Sequence, residues 1–134
     1  AFTAKQRVAR TILQRVVERY LRRDARTLGA IRSLVEFADE GRAALAMGRL
    51  DDLGEVLRGA WSALQQLTPE CSNPQIDALF REVEDLSVGG KLAGAGGGGF
   101  MGVLAKDAEA AARIRTKLVA ADPALRIYDW TLDR

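Results

Sequence analysis

Between Gly89 and Gly99 the chain places seven of its 13 glycines in 11 positions, and a short apolar run from Phe100 follows at once. Glycine loses more backbone entropy on folding than any other residue. Such a density inside a domain therefore marks backbone that takes φ > 0 or lies bare against a neighbour or a ligand. A packed helix or sheet interior has no use for it. The expectation is a glycine-rich turn whose consecutive N–H groups form a concave nest for an anion.

The remainder of the chain bounds what that turn belongs to. With 134 residues, 48% apolar and 28% charged, it has the length of one domain around a single core. The formal charge of +2 is near neutral, although eight basic residues face only Glu18 and Asp24 in the first 26 positions. A lone Cys71 excludes an internal disulfide, and with no histidine almost nothing remains for a transition metal. No apolar stretch approaches the roughly 20 residues of a membrane span, and the arginine-rich start lacks the apolar region of a signal peptide. A cytoplasmic protein without a membrane partner is expected. The opening Ala1-Phe2-Thr3, without an initiator Met, points to a piece of a longer polypeptide.

Periodicity gives the elements. Val8, Ile12, Leu13, Val16, Val17, Tyr20 and Leu21 recur at spacings of three and four between arginines, which predicts an amphipathic helix over 5–21. A second helix is expected over 28–47, with Gly48 at its C-terminal end. Asp51 is expected to cap a third, whose apolar face carries Leu53, Val56, Leu57, Ala60, Trp61, Leu64 and Leu67 until Pro69 stops it. Asn73-Pro74 opens a fourth, which buries Ile76, Leu79, Phe80 and Val83. A strand, the glycine turn and a second strand at 100–105 follow. Asp107 then caps a helix over 108–121 with Ile114, Leu118 and Val119 inward, ended by Asp122-Pro123. Ile127, Tyr128, Trp130 and Thr131 give 125–132 a strand composition, and Ala1-Phe2-Thr3 reads as the stub of another. Strands joined by a tight loop pair antiparallel, so the expected architecture is α+β: a two-layer domain with the helices on one face of the sheet.

Two familiar phosphate motifs fail on context. Gly94, Gly96 and Gly99 satisfy G-x-G-x-x-G, but a strand follows where that fingerprint requires a helix. The Walker-type loop fails because Gly99 precedes Phe100-Met101 rather than Lys-Ser or Lys-Thr. The plainer reading is a flexible hairpin turn, which ordinarily uses one or two glycines.

The run Lys91-Leu92-Ala93-Gly94-Ala95-Gly96-Gly97-Gly98-Gly99-Phe100 resembles the third motif of the GHMP kinases, the galactokinase, homoserine, mevalonate and phosphomevalonate kinase superfamily. Thr3-Ala4-Lys5-Gln6-Arg7 is similar to the T-G-x-x-R that opens their C-terminal domain. Trp61, Ser72-Asn73-Pro74 and Ile76-Asp77 resemble the segment before motif three in the fucokinase and heptose 7-phosphate kinase branch. Ala105-Lys106-Asp107 and residues 111–115 are similar to the fucokinase part of the bifunctional fucokinase/fucose-1-phosphate guanylyltransferases.

The resemblance implies the family's ferredoxin-like C-terminal domain over 1–134. It also implies an N-terminal domain elsewhere as partner, which holds most nucleotide contacts and the proposed catalytic base, and hence no catalytic residue and no metal ligand in this segment. It implies ATP and Mg2+ for the intact enzyme, with Gly94, Ala95, Gly96, Gly97, Gly98 and Gly99 as the phosphate-binding loop and Thr3, Arg7 and Lys91 as substrate or loop support. The implied reaction is phosphorylation of L-fucose at its anomeric hydroxyl. The alternatives are a D-glycero-D-manno-heptose 7-phosphate kinase and a stand-alone ferredoxin-like module that binds a phosphorylated metabolite. Two departures stand out: Ala4 replaces the usual glycine, and Leu64 and Gln65 stand where relatives often carry a lysine.

Other candidates carry less. The arginines of the first helix alternate with apolar residues as its wet side, without aromatics for base stacking, so no nucleic-acid partner is expected. Asp51 and Asp52 favour a helix dipole, and Glu82, Glu84 and Asp85 read as surface charge. Cys71, next to a helix start, is expected to have a lowered pKa, yet it lacks a histidine base. Trp61 reads first as core and second as a ligand platform.

Overall fold

The computed structural model describes residues 1–3 and 9–128. Five helices form where the periodicity and cap residues place them. They are α1 (Ala9–Leu21), α2 (Ala25–Ala46), α3 (Leu50–Leu67), α4 (Pro74–Val83) and α5 (Ala108–Ala121). Asp24 starts α2 three residues earlier than expected, because its carboxylate accepts the Thr27 N–H at 2.8 Å. Asn73 caps α4 by accepting the N–H groups of Gln75 and Ile76, both at 3.1 Å. Asp107 caps α5 through the Ala110 N–H at 2.7 Å. Asp51 is not a cap: Arg49 occupies that position without a side-chain bond, and Asp51 and Asp52 lie inside the first turn, where their charge meets the helix dipole.

Strands β1 (Ser87–Leu92) and β2 (Met101–Ala105) pair antiparallel, with Leu92 opposite Met101 and Gly90 opposite Val103. The sheet continues beyond them through single bridges, since Phe2 pairs with Phe100 on one side and Arg126 on the other. Across the sheet the order is residue 126, residues 1–3, β2, β1. Of the strand expected over 125–132, the described part contributes the bridge at Arg126, and residues 129–132 lie outside the described residues.

Neighbouring residues of a strand point to opposite faces, and this separates the helices that flank β1. Gly90 points toward the Phe80 ring of α4, whereas a methyl on Gly89 would run into the backbone of Gly54 in α3. Leu92 and Met101, on the Gly90 side, join Ile76, Leu79 and Val83 of α4 and Ile114 and Leu118 of α5 in the main core. The expectation of one core is corrected: Ala30, Leu64, Leu67 and Cys71 form a second cluster between α2, α3 and the 3-10 turn Pro69–Cys71. Trp61, half-buried, packs against both and stacks near Phe80 with centroids 5.5 Å apart.

The face of α1 is also corrected. Ile12 is buried and Val16 half-buried, but Leu13, Val17, Tyr20 and Leu21 are exposed. The arginines of its supposed wet side make the tertiary bonds instead. Val119 of α5, expected inward, is exposed too.

Candidate functional site

The glycine run leaves β1 at Leu92 and rejoins the sheet at Phe100, with the Ala93 N–H donating to the Phe100 carbonyl at 2.8 Å to close its neck. Between these points Gly94, Gly96, Gly97, Gly98 and Gly99 have φ of +71, +80, +78, +148 and +90°, backbone that side chains strain against. At Gly96 space forbids a side chain as well, since a Cβ would lie 2.5 Å from the Cys71 Cβ and 2.6 Å from its carbonyl oxygen. Gly94 and Gly99 have open space, so there conformation alone selects glycine.

Two main-chain bonds fasten the loop. Gly97, buried, donates its N–H to the Cys71 carbonyl at 2.5 Å, and the Gly99 carbonyl accepts from the Thr3 N–H at 2.9 Å. Gly97 is therefore an anchor whose amide is already engaged. The N–H groups of Ala95, Gly96, Gly98 and Gly99 have no protein acceptor among the described residues. An oxyanion is the natural acceptor for donors gathered on such a turn.

The supporting residues are distributed unevenly. Thr3 is 7% exposed beside Gly99, and its Oγ1 has no partner among the described residues. Arg7 and Ala4 lie outside the described residues. Lys91 is half-buried; its Nζ donates to the Leu92 carbonyl at 2.9 Å, at the neck of the loop, while the side chain lines a cavity beside α2 and α3. Leu64 is packed in the second cluster. Trp61 and Phe80 line a separate cavity of about 530 Å3 between α3 and α4, floored by Gly89 and Gly90.

The turn Pro69–Cys71 is the site element that sequence reasoning missed. Pro69 and Asn73-Pro74 marked a break between helices, but nothing in their spacing said that the break would touch the glycine run. Cys71 is fully buried, and burial pushes its thiol up to about 11, which reverses the lowered value expected from a helix start. Glu70 is held below the usual carboxylate range by hydrogen bonds from its own N–H, from Arg15 and from Thr68. Among the described residues no group of three or more His, Cys, Asp or Glu side chains is placed to hold a metal ion, and no helix is long and apolar enough to cross a membrane.

Residues 42–124 match the family of GHMP kinases C terminal. Over 132 residues the chain is 42% identical to the bifunctional fucokinase/GDP-fucose pyrophosphorylase of Arabidopsis thaliana, and over 133 residues 29% identical to the L-fucokinase/L-fucose-1-P guanylyltransferase of Bacteroides fragilis. Each comparison takes in 98% of this chain but only 12% and 14% of those proteins. The fold is similar to that of L. major mevalonate kinase, solved in complex with R-mevalonate. The TM-score is 0.79 at 19% identity, over 89% of this chain and 36% of that one.

Proposed function

The chain belongs to the family of GHMP kinase C-terminal domains, and from that premise we propose that it is the phosphate-holding part of an ATP-dependent kinase acting on the anomeric hydroxyl of L-fucose. The observation that carries the reading is the set of loop amides at Ala95, Gly96, Gly98 and Gly99 without an acceptor among the described residues, held on backbone anchored at Gly97 and Gly99. Fixed donors of this kind stabilise charge that grows on phosphoryl oxygens during transfer, without reorganising at the moment of reaction. The choice of fucose is supported by the two fucokinase relatives, each matched over 98% of this chain.

In the proposed reaction the sugar hydroxyl oxygen forms a bond to the γ-phosphorus. The bond from that phosphorus to the bridging oxygen breaks, and ADP leaves with the electron pair. The hydroxyl proton passes to a base outside this segment. The loop amides donate to phosphate oxygens, and the Thr3 N–H keeps the Gly99 end in register while its hydroxyl, without a partner among the described residues, is assigned to substrate or loop. Arg7 and Lys91 are assigned supporting charge. Among the described residues no group of three or more His, Cys, Asp or Glu side chains is placed to hold a metal ion; magnesium would enter with the ATP phosphates, whose charge it would neutralise.

The test is a coupled ATPase assay on the full-length parent with L-fucose, D-glycero-D-manno-heptose 7-phosphate and galactose in parallel. Turnover with fucose is the expected result. Turnover with the heptose phosphate instead would reassign the substrate. Silence with all three in a folded protein would sink the kinase reading in favour of a binding module.

A further inference from the structure

A loop this rich in glycine does not keep one shape unaided, and the structure supplies a brace from outside it. The Cys71 carbonyl ends the turn Pro69–Cys71 and accepts the Gly97 N–H, while Gly96 lies so close to Cys71 that no Cβ fits between them. The turn is itself fastened from behind. Arg15 Nη1 donates to Glu70 Oε1 at 2.5 Å, Thr68 Oγ1 to Glu70 Oε2 at 3.1 Å, and Arg19 Nη2 to the Leu67 carbonyl at 2.5 Å. The Cys71 side chain is clamped among Ala30, Leu64 and Leu67. Two residues on, Asn73 starts α4, so the turn has a capped helix on its other end.

We propose that Cys71 is a positioning residue for phosphoryl transfer, acting through its main-chain carbonyl. By holding Gly97 it fixes the flanking peptide units, so that the amides of Gly96 and Gly98 stay free to meet phosphate oxygens. The thiol takes no part in the chemistry; the atoms that meet the loop are the Cys71 Cβ, Cα and carbonyl oxygen, which an alanine also has. Donors fixed before the ligand arrives bind more tightly than donors that must be ordered by it. Their advantage is greatest where charge develops. The inference rests on the anion-holding role given to the loop above.

Cys71→Val puts a second branch on the Cβ that faces Gly96 and displaces the carbonyl. Cys71→Ala keeps the carbonyl and removes only the sulfur. In the full-length enzyme, folded Cys71→Val is expected to raise KM for ATP and to lose roughly tenfold or more in kcat/KM for ATP. KM for the sugar stays within about twofold, and Cys71→Ala recovers most of the loss. A merely structural role would lower the active fraction and leave both KM values where they were.

Gly98→Val, at a loop position beside the Gly96 and Gly97 contacts with Cys71 rather than in them, separates the two levels of the reading. Wild-type turnover of Gly98→Val would refute the loop's role altogether. Impaired Gly98→Val beside a folded Cys71→Val with wild-type KM for ATP would overturn the brace alone. If Cys71→Val does not fold, the wild-type enzyme decides: deuterium labelling of the Gly97 amide, followed by peptide mass spectrometry, requires the loop to leave its brace, because that N–H is bonded to the Cys71 carbonyl. ATP with magnesium is expected to slow this labelling several-fold and adenosine, without phosphates, is not. Equal rates with and without ATP would overturn the proposal.

Discussion

At Gly96 two separate demands fall on one residue. Its φ of +80° disfavours any side chain, and the Cys71 Cβ stands 2.5 Å from where a methyl would go. Gly96→Ala is therefore expected to cost about 2 kcal/mol or more of stability, read as a lowered Tm, and to reduce kcat of the full-length enzyme with it. Gly94 and Gly99, facing open space, carry only the first demand. The sequence made the need for glycine legible at all of these positions but not the reason at each, because the steric half of it comes from a turn more than twenty residues earlier. Cys71 has its own test. The folded thiol pKa of about 11 lies above its ordinary 9.0, so unfolded chains lose the proton first as pH rises. The stabilisation is fully present below pH 9 and is lost as pH climbs toward 11. On the order of 2 kcal/mol should disappear over that window in denaturant titrations of the wild type. The difference from Cys71→Ala isolates it from other titrating groups, and identical pH slopes for the two proteins would contradict the assignment.

Among the elements, the close approach of α3 and β1 depends on two glycines, Gly54 and Gly89, whose backbones touch. Adding a methyl at Gly89 meets backbone that cannot turn aside, so Gly89→Ala should destabilise by about 3 kcal/mol. Gly29, exposed in α2 with nothing within 4 Å of a Cβ, is the counterpart. There Gly29→Ala should stabilise by about 0.5–1 kcal/mol, because the unfolded chain loses freedom and the helix loses nothing. Thermal melts of the two variants moving in the same direction would contradict this account of the packing. The helix limits were legible from local chemistry, since Asn73 and Asp107 cap α4 and α5 where the sequence places them. The inward face of α1 was not. Its stripe of Leu13, Val17 and Tyr20 has helical spacing, but spacing names an apolar face without saying what covers it, and the described neighbours are reached by Arg15 and Arg19 instead.

For the whole molecule, the 134 residues span about an eighth of the length of the matched relatives, so the role proposed for the glycine loop would be one part of a longer protein's. Purified alone, they should show no sugar-dependent ATP consumption; turnover above the no-enzyme rate would overturn the division of labour proposed here. The exposed Leu13, Val17, Tyr20 and Leu21 should also make the isolated segment self-associate as its concentration rises, and light scattering that stays monomeric throughout would contradict it. The order of the sheet has a consequence in time. Phe2 pairs with Arg126, and the Thr3 N–H holds the Gly99 carbonyl, so a sheet contact and one anchor of the glycine loop join the start of the described chain to stretches made much later. The α2–α3 hairpin can gather as soon as it is made, whereas those pairings close long loops and wait for late residues. On a ribosome the segment at 1–3 remains unpaired while the helices assemble, and the glycine loop acquires its final shape among the last events of folding.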